Sequence, residues 1–257
     1  MYKHIFETHA HYDDPCYADH LDSILKEQQK KGVEFIINSS SSLPTANNAV
    51  KLSETYSFIY STVGIYPLEV EDLPEDWPEQ IESLAKKPKV VAIGEIGLDY
   101  HEVVADRATQ RKVFCRQIEL AQKLNLPIQI HDREANEDVL AILREYRPPK
   151  IMLHRYSALP RYTEAFLDLG CYLSFCCSIT YPEWAYLKDV AQETPSEKLV
   201  LETDSPFLAP YHMYGEISNS DMIAFVAEEI AKVRHACSAQ EVIDLAYQNA
   251  KRFFNIR

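Results

Sequence analysis

Residues 90–124, VVAIGEIGLDYHEVVADRATQRKVFCRQIELAQKL, contain the unit that decides the fold. The apolar run at 90–93 is typical of a buried strand, and the carboxylate of Glu95 follows it closely. Residues 106–124 then place apolar side chains at helical spacing, in the longest helix pattern of the chain. A buried strand followed by a helix is the building unit of parallel sheets.

The same unit recurs from one end of the chain to the other. Strands are predicted at residues 5–8, 33–37, 58–64, 90–93, 127–130, 150–153, 172–175 and 199–201. Helices are predicted at residues 19–31, 45–56, 78–86, 106–124, 136–145, 162–169, 183–191, 222–234 and 239–254. This alternation predicts an α/β protein, a single (β/α)8 TIM barrel with an extra C-terminal helix. A doubly wound open sheet is the alternative.

The composition fits a folded chain without special cross-links. The 257 residues are 46% hydrophobic and 11% aromatic and include only 6 Gly, which excludes disordered and collagen-like chains. No composition break divides them, so one domain spanning residues 1–257 is expected. Six cysteines without a CxxC pair are expected to be reduced thiols, which favours a cytoplasmic protein.

Other patterns exclude several functional classes. No run approaches the roughly 20 apolar residues of a membrane span, and the N-terminus lacks the apolar core of a signal peptide. There is no G-x-G-x-x-G and no Walker loop, so no nucleotide cofactor is expected. With 26 basic and 39 acidic residues, the net charge of −13 disfavours general binding of nucleic acid. A polyanion would have to bind locally, through a basic patch or bound cations.

Metal-ligating side chains follow five of the predicted strands. Barrel enzymes carry their active sites at the carboxyl ends of their strands, so these side chains are expected to form one site. Each alone has an ordinary structural explanation, such as a polar core pair, a cap or a turn, but their coincidence favours metal binding. The predicted ligands are His9, His11, Glu95, His131, His154 and Asp204.

This set offers nitrogen and oxygen donors without a thiolate, which suits Zn²⁺, Mn²⁺ or Mg²⁺. Six ligands exceed the needs of one tetrahedral ion, so two divalent ions bridged by Glu95 are predicted. Two ions roughly 3.5–4 Å apart are an arrangement that supports hydrolysis. Glu7 lies on the face of His9 and His11, where it is expected to accept a hydrogen bond from a ligating imidazole.

Several motifs together resemble the TatD family of metal-dependent deoxyribonucleases. They are T-H-A-H at 8–11, G-I-Y-P at 64–67, I-G-E-I-G-L-D-Y at 93–100, L-N-L-P-I-Q-I-H-D-R at 124–133, L-H-R-Y-S at 153–157, L-E-T-D-S-P-F-L-A-P at 201–210 and N-A-K-R-F-F at 249–254. The resemblance implies an amidohydrolase-like barrel that hydrolyses phosphodiester bonds of DNA with one or two metal ions.

The resemblance also implies roles for the ligands. His9, His11, Glu95 and Asp204 would hold the first ion, and Glu95, His131 and His154 the second. Asp204 would orient or deprotonate the attacking water, so Asp204 and Glu95 are the predicted catalytic residues.

The substrate side departs from the family pattern. The family usually has histidine at the positions of Tyr66 and Leu68, and aspartate at that of Glu7. Arg133, Arg155 and Tyr66 are the predicted substrate contacts, with surface ion pairs as the alternative for the arginines. All six predicted metal ligands are therefore present, but the predicted substrate pocket differs from the usual pattern of the family.

The leading prediction is therefore a monomeric, cytoplasmic deoxyribonuclease that acts on DNA, as an exonuclease on single-stranded ends. Aromatic side chains near the site could stack on bases, or they could pack within loops. These side chains are Tyr66, Tyr100, Tyr156, Phe207 and Tyr211. The alternative is a two-metal hydrolase of a small phosphoester, an aminoacyl ester or an amide. Arginines 133, 155 and 161 discriminate between the two, because DNA binding needs a locally basic mouth.

Overall fold

The computed structural model describes residues 1–102, 104–234 and 237–257. Its strands are β1 (Ile5–Ala10), β2 (Val33–Asn38), β3 (Ile59–Val63), β4 (Val90–Asp99), β5 (Ile128–Arg133), β6 (Ile151–Leu153), β7 (Tyr172–Phe175) and β8 (Leu199–Leu201). Its α-helices are α1 (Leu21–Lys30), α2 (Leu43–Thr55), α3 (Trp77–Ala85), α4 (Arg107–Leu124), α5 (Asn136–Tyr146), α6 (Pro160–Asp168), α7 (Tyr186–Glu193), α8 (Ile223–Val233) and α9 (Ala239–Phe254). Every predicted strand and helix is present, with shifts at the ends.

The chain forms two compact units, and the first comprises residues 1–38 and 172–257. In this unit β1 pairs with β2 and β7 pairs with β8, both in parallel. A parallel bridge between Ala10 and Ser205 follows the ends of β1 and β8. The backbone N–H of Asp204 also donates to the carbonyl of His9 at 3.1 Å. The first and last strands of the chain are therefore neighbours, as closure of a barrel requires.

The second unit, residues 39–171, carries β3, β4, β5 and β6, each paired in parallel with the next. Strand β4 extends to Asp99, well beyond the predicted 90–93, because its second half pairs with β5 as far as Asp99 and Arg133. Gly97 permits this pairing: its φ is +146°, and a Cβ there would lie 1.9 Å from the carbonyl oxygen of His131. A long β4 thus brings Asp99 beside the end of β5.

Local signals set the ends of the longest helix. The carboxylate of Asp106 accepts the N–H of Thr109 at 3.0 Å and caps the start of α4. Asn125, with φ 53°, ends it in the left-handed conformation that asparagine tolerates. The helix buries one face, which includes Phe114 and Ile118. Among the described residues, no helix is both long and apolar enough to cross a membrane.

Candidate metal centre

In the first unit, three side chains bring donor atoms together. His9 lies in β1 and His11 directly follows it, and their Nε2 atoms are 3.1 Å apart. The Asp204 Oδ1 atom lies 3.4 Å from Nε2 of His11 and 3.7 Å from Nε2 of His9. The alternation of strand side chains thus places the two imidazoles together, as the sequence predicts.

The backbone aims the Asp204 carboxylate at these rings. Asp204 follows β8 and has φ 63°, a left-handed conformation that aspartate adopts more readily than most residues. Its N–H donates to the carbonyl of His9, and its own carbonyl accepts the N–H of Phe207 at 2.9 Å. Backbone bonds on both sides therefore hold Asp204 next to the histidine pair.

Glu7 contacts the backbone of this group. Its carboxylate accepts the backbone N–H of His9 at 3.2 Å. It also accepts the backbone N–H of Thr203 at 2.9 Å and the hydroxyl of the same residue. Burial raises the pKa of Glu7 to about 8, against the opposing effect of the bonds from Thr203.

This raised pKa makes the stability of the metal-free protein depend on pH. The carboxyl of Glu7 titrates near 4.5 in the unfolded chain and near 8 in the folded one, so unfolded chains ionise first. The contribution of Glu7 to the free energy of unfolding should therefore be greatest below pH 4.5. It should fall, by up to about 5 kcal/mol, as the pH rises through 8.

Glu7→Gln should remove this part of the pH dependence, because glutamine fills the same space without ionising. Urea denaturation of the metal-free protein at pH 5 and pH 9, with the exposed Glu197→Gln as control, measures it. Equal pH dependence in wild type and Glu7→Gln would contradict the prediction.

In the second unit, three more side chains form a buried donor group. Oε1 of Glu95 lies 3.0 Å from Nδ1 of His131 and 3.0 Å from Nε2 of His154. The two histidine nitrogens are 3.5 Å apart. Glu95 lies within β4, His131 lies in β5 and His154 directly follows β6. Three neighbouring parallel strands and the residue that follows one of them thus supply one group.

The separations in both groups fit the chemistry of a bound divalent ion. Ligands at 2.0–2.1 Å from a tetrahedral zinc lie about 3.3 Å from one another. The donor atoms of His9, His11 and Asp204 are 3.1–3.7 Å apart, and those of Glu95, His131 and His154 are 3.0–3.5 Å apart. Each group therefore presents three nitrogen and oxygen donors at a spacing that one cation can span.

Sequence analysis missed a partner of His131. Its Nε2 lies 3.0 Å from Oδ2 of Asp99, which is fully buried, and the hydroxyl of Tyr66 donates to the same oxygen at 3.2 Å. Burial by itself lowers the pKa of His131, but its bonds to Asp99 and Glu95 outweigh that effect and raise the pKa. The period of a strand could have revealed Asp99, since residues 95, 97 and 99 share one face.

The predicted substrate arginines have varied surroundings. Nη1 of Arg133 lies 3.9 Å from the Glu102 carboxylate, and the guanidinium of Arg161 stacks over the ring of Tyr162. Arg155 directly follows His154 and has φ 43°. The substrate roles of Arg133, Arg155 and Tyr66 remain predictions.

The five aromatic side chains divide into two kinds. Tyr156 is buried with its hydroxyl at 2.9 Å from that of Thr163, and the hydroxyl of Tyr100 donates to Asp138. Phe207 and Tyr211 are 52% and 53% exposed. The ring of Phe207 also lies 5.9 Å from that of His11. Tyr66 is half-buried, and its hydroxyl donates to Asp99. Phe207 and Tyr211 are therefore the two most exposed of the five rings.

Comparison with known proteins identifies relatives along the whole chain. The TatD related DNase family matches residues 6–255. The uncharacterized metal-dependent hydrolase YabD of Bacillus subtilis is 35% identical over 98% of this chain and 99% of its own. The human deoxyribonuclease TATDN3 is 29% identical over 97% of this chain and 94% of its own.

Solved structures are similar over the same extent. The TatD homologue YJJV from Escherichia coli K12 has a TM-score of 0.94 at 26% identity and covers 100% of both chains. A TatD family hydrolase from Entamoeba histolytica has a TM-score of 0.89 at 22% identity, covers 99% of each chain and supports the fold alone.

The fold and the donor groups, together with these relatives, define a metal-dependent hydrolase built on a (β/α)8 barrel. The predicted fold class, including the extra C-terminal helix, is confirmed. The chain belongs to the TatD family, as its motifs predicted.

Proposed function

We propose that this hydrolase is a deoxyribonuclease that removes nucleotides from single-stranded DNA ends. The observation that carries the proposal is the pair of donor groups, each with three side-chain atoms at cation-binding separations. The name of the human relative, a deoxyribonuclease, supports the choice of bond and substrate.

The proposal assigns both donor groups to one centre with two divalent ions, in a single domain spanning residues 1–257. His9, Glu95 and His131 lie within strands, and His11, His154 and Asp204 follow the ends of strands. Barrels of this class carry their sites at the carboxyl ends of their strands. Glu95 would be the ligand shared by the two ions, because a carboxylate has two oxygens and an imidazole offers one nitrogen at a time. The ions are Zn²⁺, Mn²⁺ or Mg²⁺, which accept nitrogen and oxygen donors.

Bound divalent ions would lower the pKa of the attacking water and stabilise negative charge on the phosphate. The protein side chains then handle the protons. The Asp204 carboxylate, held by backbone bonds on both sides, orients the water and accepts its proton. The burial of Glu95, His131 and His154 excludes bulk water and strengthens the electrostatic interactions at the site.

Exposed aromatic rings support the proposed binding of single-stranded DNA. Phe207 and Tyr211 lie in the segment 205–222, which contains no lysine or arginine, so it is suited to base faces rather than phosphates. Buried hydroxyls anchor this segment: that of Tyr17 donates to the carbonyl of Ser218 and that of Tyr181 to the carbonyl of Ala209. Arg133 and Arg155 are the proposed phosphate contacts.

Phe207→Ala should raise the KM for a single-stranded oligomer by about 10-fold, because one base–ring stack is lost. The kcat for a small phosphodiester, bis-p-nitrophenyl phosphate, should not change. Ile217→Ala is the matched control, since Ile217 is 50% exposed in the same segment and has no aromatic face. An unchanged KM in Phe207→Ala would contradict base stacking at this position.

The direct test of the proposed function is hydrolysis of a 5′-labelled single-stranded DNA oligomer. Wild-type protein is compared with Mg²⁺, Mn²⁺, Zn²⁺ and EDTA. Stepwise shortening from one end, abolished by EDTA, is the expected result and also gives the polarity. Internal cuts would contradict the exonuclease mode, and no cleavage by metal-loaded protein would contradict DNA as the substrate.

A non-DNA substrate is the second candidate, and specific observations favour it. The net charge is −13, and two of the three arginines that could make the mouth basic contact Glu102 and Tyr162. Small phosphoesters, aminoacyl esters and amides are the substrates to screen if metal-loaded protein leaves DNA intact. The proposal further places the enzyme in the cytoplasm as a monomer, and the free thiols of all six cysteines support that compartment.

A further inference from the structure

Asp99 is a buried carboxylate next to a proposed metal ligand, and the proposed function does not use it. Its Oδ2 lies 3.0 Å from Nε2 of His131. The other nitrogen of that ring, Nδ1, faces Oε1 of Glu95 at 3.0 Å and Nε2 of His154 at 3.5 Å. One side of the imidazole therefore faces the donor group, and the opposite side faces Asp99 alone among carboxylates of the described residues.

The Asp99 carboxylate is fixed in place by other groups. Oδ1 accepts the backbone N–H of His101 at 2.9 Å and that of Glu102 at 3.3 Å, while Oδ2 accepts the hydroxyl of Tyr66 at 3.2 Å. The buried side chain of Gln110 holds the Asp99 backbone through two bonds of 2.9 Å, one to its N–H and one to its carbonyl. Rotation of the carboxylate would break several of these bonds, so its oxygen is a rigid acceptor.

We propose that Asp99 is a positioning residue of the metal centre that determines which nitrogen of His131 binds the ion. A neutral imidazole carries one N–H donor and one lone-pair nitrogen. A fixed carboxylate at Nε2 keeps the proton there and leaves the Nδ1 lone pair directed toward Glu95 and His154. Carboxylates behind a ligating histidine fix its tautomer and its orientation and make it a stronger donor. The inference rests on the proposed metal assignment.

Tyr66 helps to hold both Asp99 and His131 in place. Its hydroxyl donates to Asp99 and its ring packs edge-on against His131, with ring centres 4.8 Å apart. Tyr66 therefore supports Asp99 from the side opposite the two backbone donors.

The test measures metal affinity separately from hydrolysis. Wild type, Asp99→Asn, Tyr66→Phe and Glu102→Gln are titrated with Zn²⁺ against a chromophoric chelator, and the absorption spectrum of each Co²⁺-loaded protein is recorded. Asp99→Asn should weaken binding of the second ion by about 10–100-fold and change the Co²⁺ spectrum. Tyr66→Phe should have a smaller effect in the same direction, because three of the four bonds to the carboxylate remain. Glu102→Gln removes a nearby negative charge, keeps the backbone N–H that donates to Asp99 and should match wild type.

Wild-type affinity and spectrum in Asp99→Asn would overturn the inference. If Asp99→Asn does not fold, judged by thermal denaturation of the metal-free protein, Tyr66→Phe decides, and wild-type binding in that variant overturns the inference. Nitrogen-15 NMR of the zinc-loaded wild type gives a further check, since a proton on Nδ1 of His131 would also overturn it. Wild type that binds metal but hydrolyses no phosphodiester would contradict the proposed function and leave the role of Asp99 intact.

Discussion

Asp204→Asn should lower the kcat for phosphodiester hydrolysis by about 10³-fold or more while the protein stays folded. The variant removes a proposed charged ligand of the first ion, which is also the proposed acceptor of the water proton, and either loss alone is severe. Asparagine is nearly isosteric with aspartate and tolerates the left-handed backbone that residue 204 adopts, with φ 63°. The backbone bonds to His9 and from Phe207 do not involve the carboxylate, so they persist.

The measurements are kcat with saturating Mn²⁺ and the midpoint of thermal denaturation without metal. Asp221→Asn is a matched control in the same unit, because Asp221 pairs with Lys31 at the surface and holds no proposed ligand position. Turnover within about 10-fold of wild type in Asp204→Asn would refute its role as proton acceptor.

Glu95→Gln removes the proposed bridge and should reduce both metal content and turnover. The glutamine amide offers one oxygen without a full negative charge, so it cannot bind two cations at once as a carboxylate can. Hydrolysis should fall by at least about 100-fold, since losing a ligand costs more than losing a group behind one. Metal content after dialysis, measured by elemental analysis, should fall toward one ion per chain.

Glu119→Gln is the matched control for this substitution, because Glu119 forms a surface ion pair with Arg116. Two ions per chain and wild-type turnover in Glu95→Gln would exclude a bridging role. One ion per chain in the wild type itself would replace the two-ion centre with a single-ion one.

Local pattern was enough to predict much of this protein. The alternation of apolar runs and helical spacing marks every strand and helix, because burial dictates residue type with a period of two or 3.6. The proposed ligand set was also predictable, since a histidine or carboxylate near the carboxyl end of a buried apolar run lies where barrels carry their sites. The length of β4 was underestimated, because residues 94–99 mix glycine and acid and pair with β5 through contacts distant in sequence.

The sequence by itself thus determined the family, the barrel class and the chemical types of the proposed metal ligands, since these depend on residue type and spacing along the chain. Only the tertiary structure decided which partners the buried acids have. Asp99 reaches His131 because of the register between β4 and β5, and Glu7 receives the backbone donor of Thr203 because β8 lies beside β1. Such pairings join residues 32 and 196 positions apart, so they depend on strand register and side-chain rotation, which no local pattern encodes.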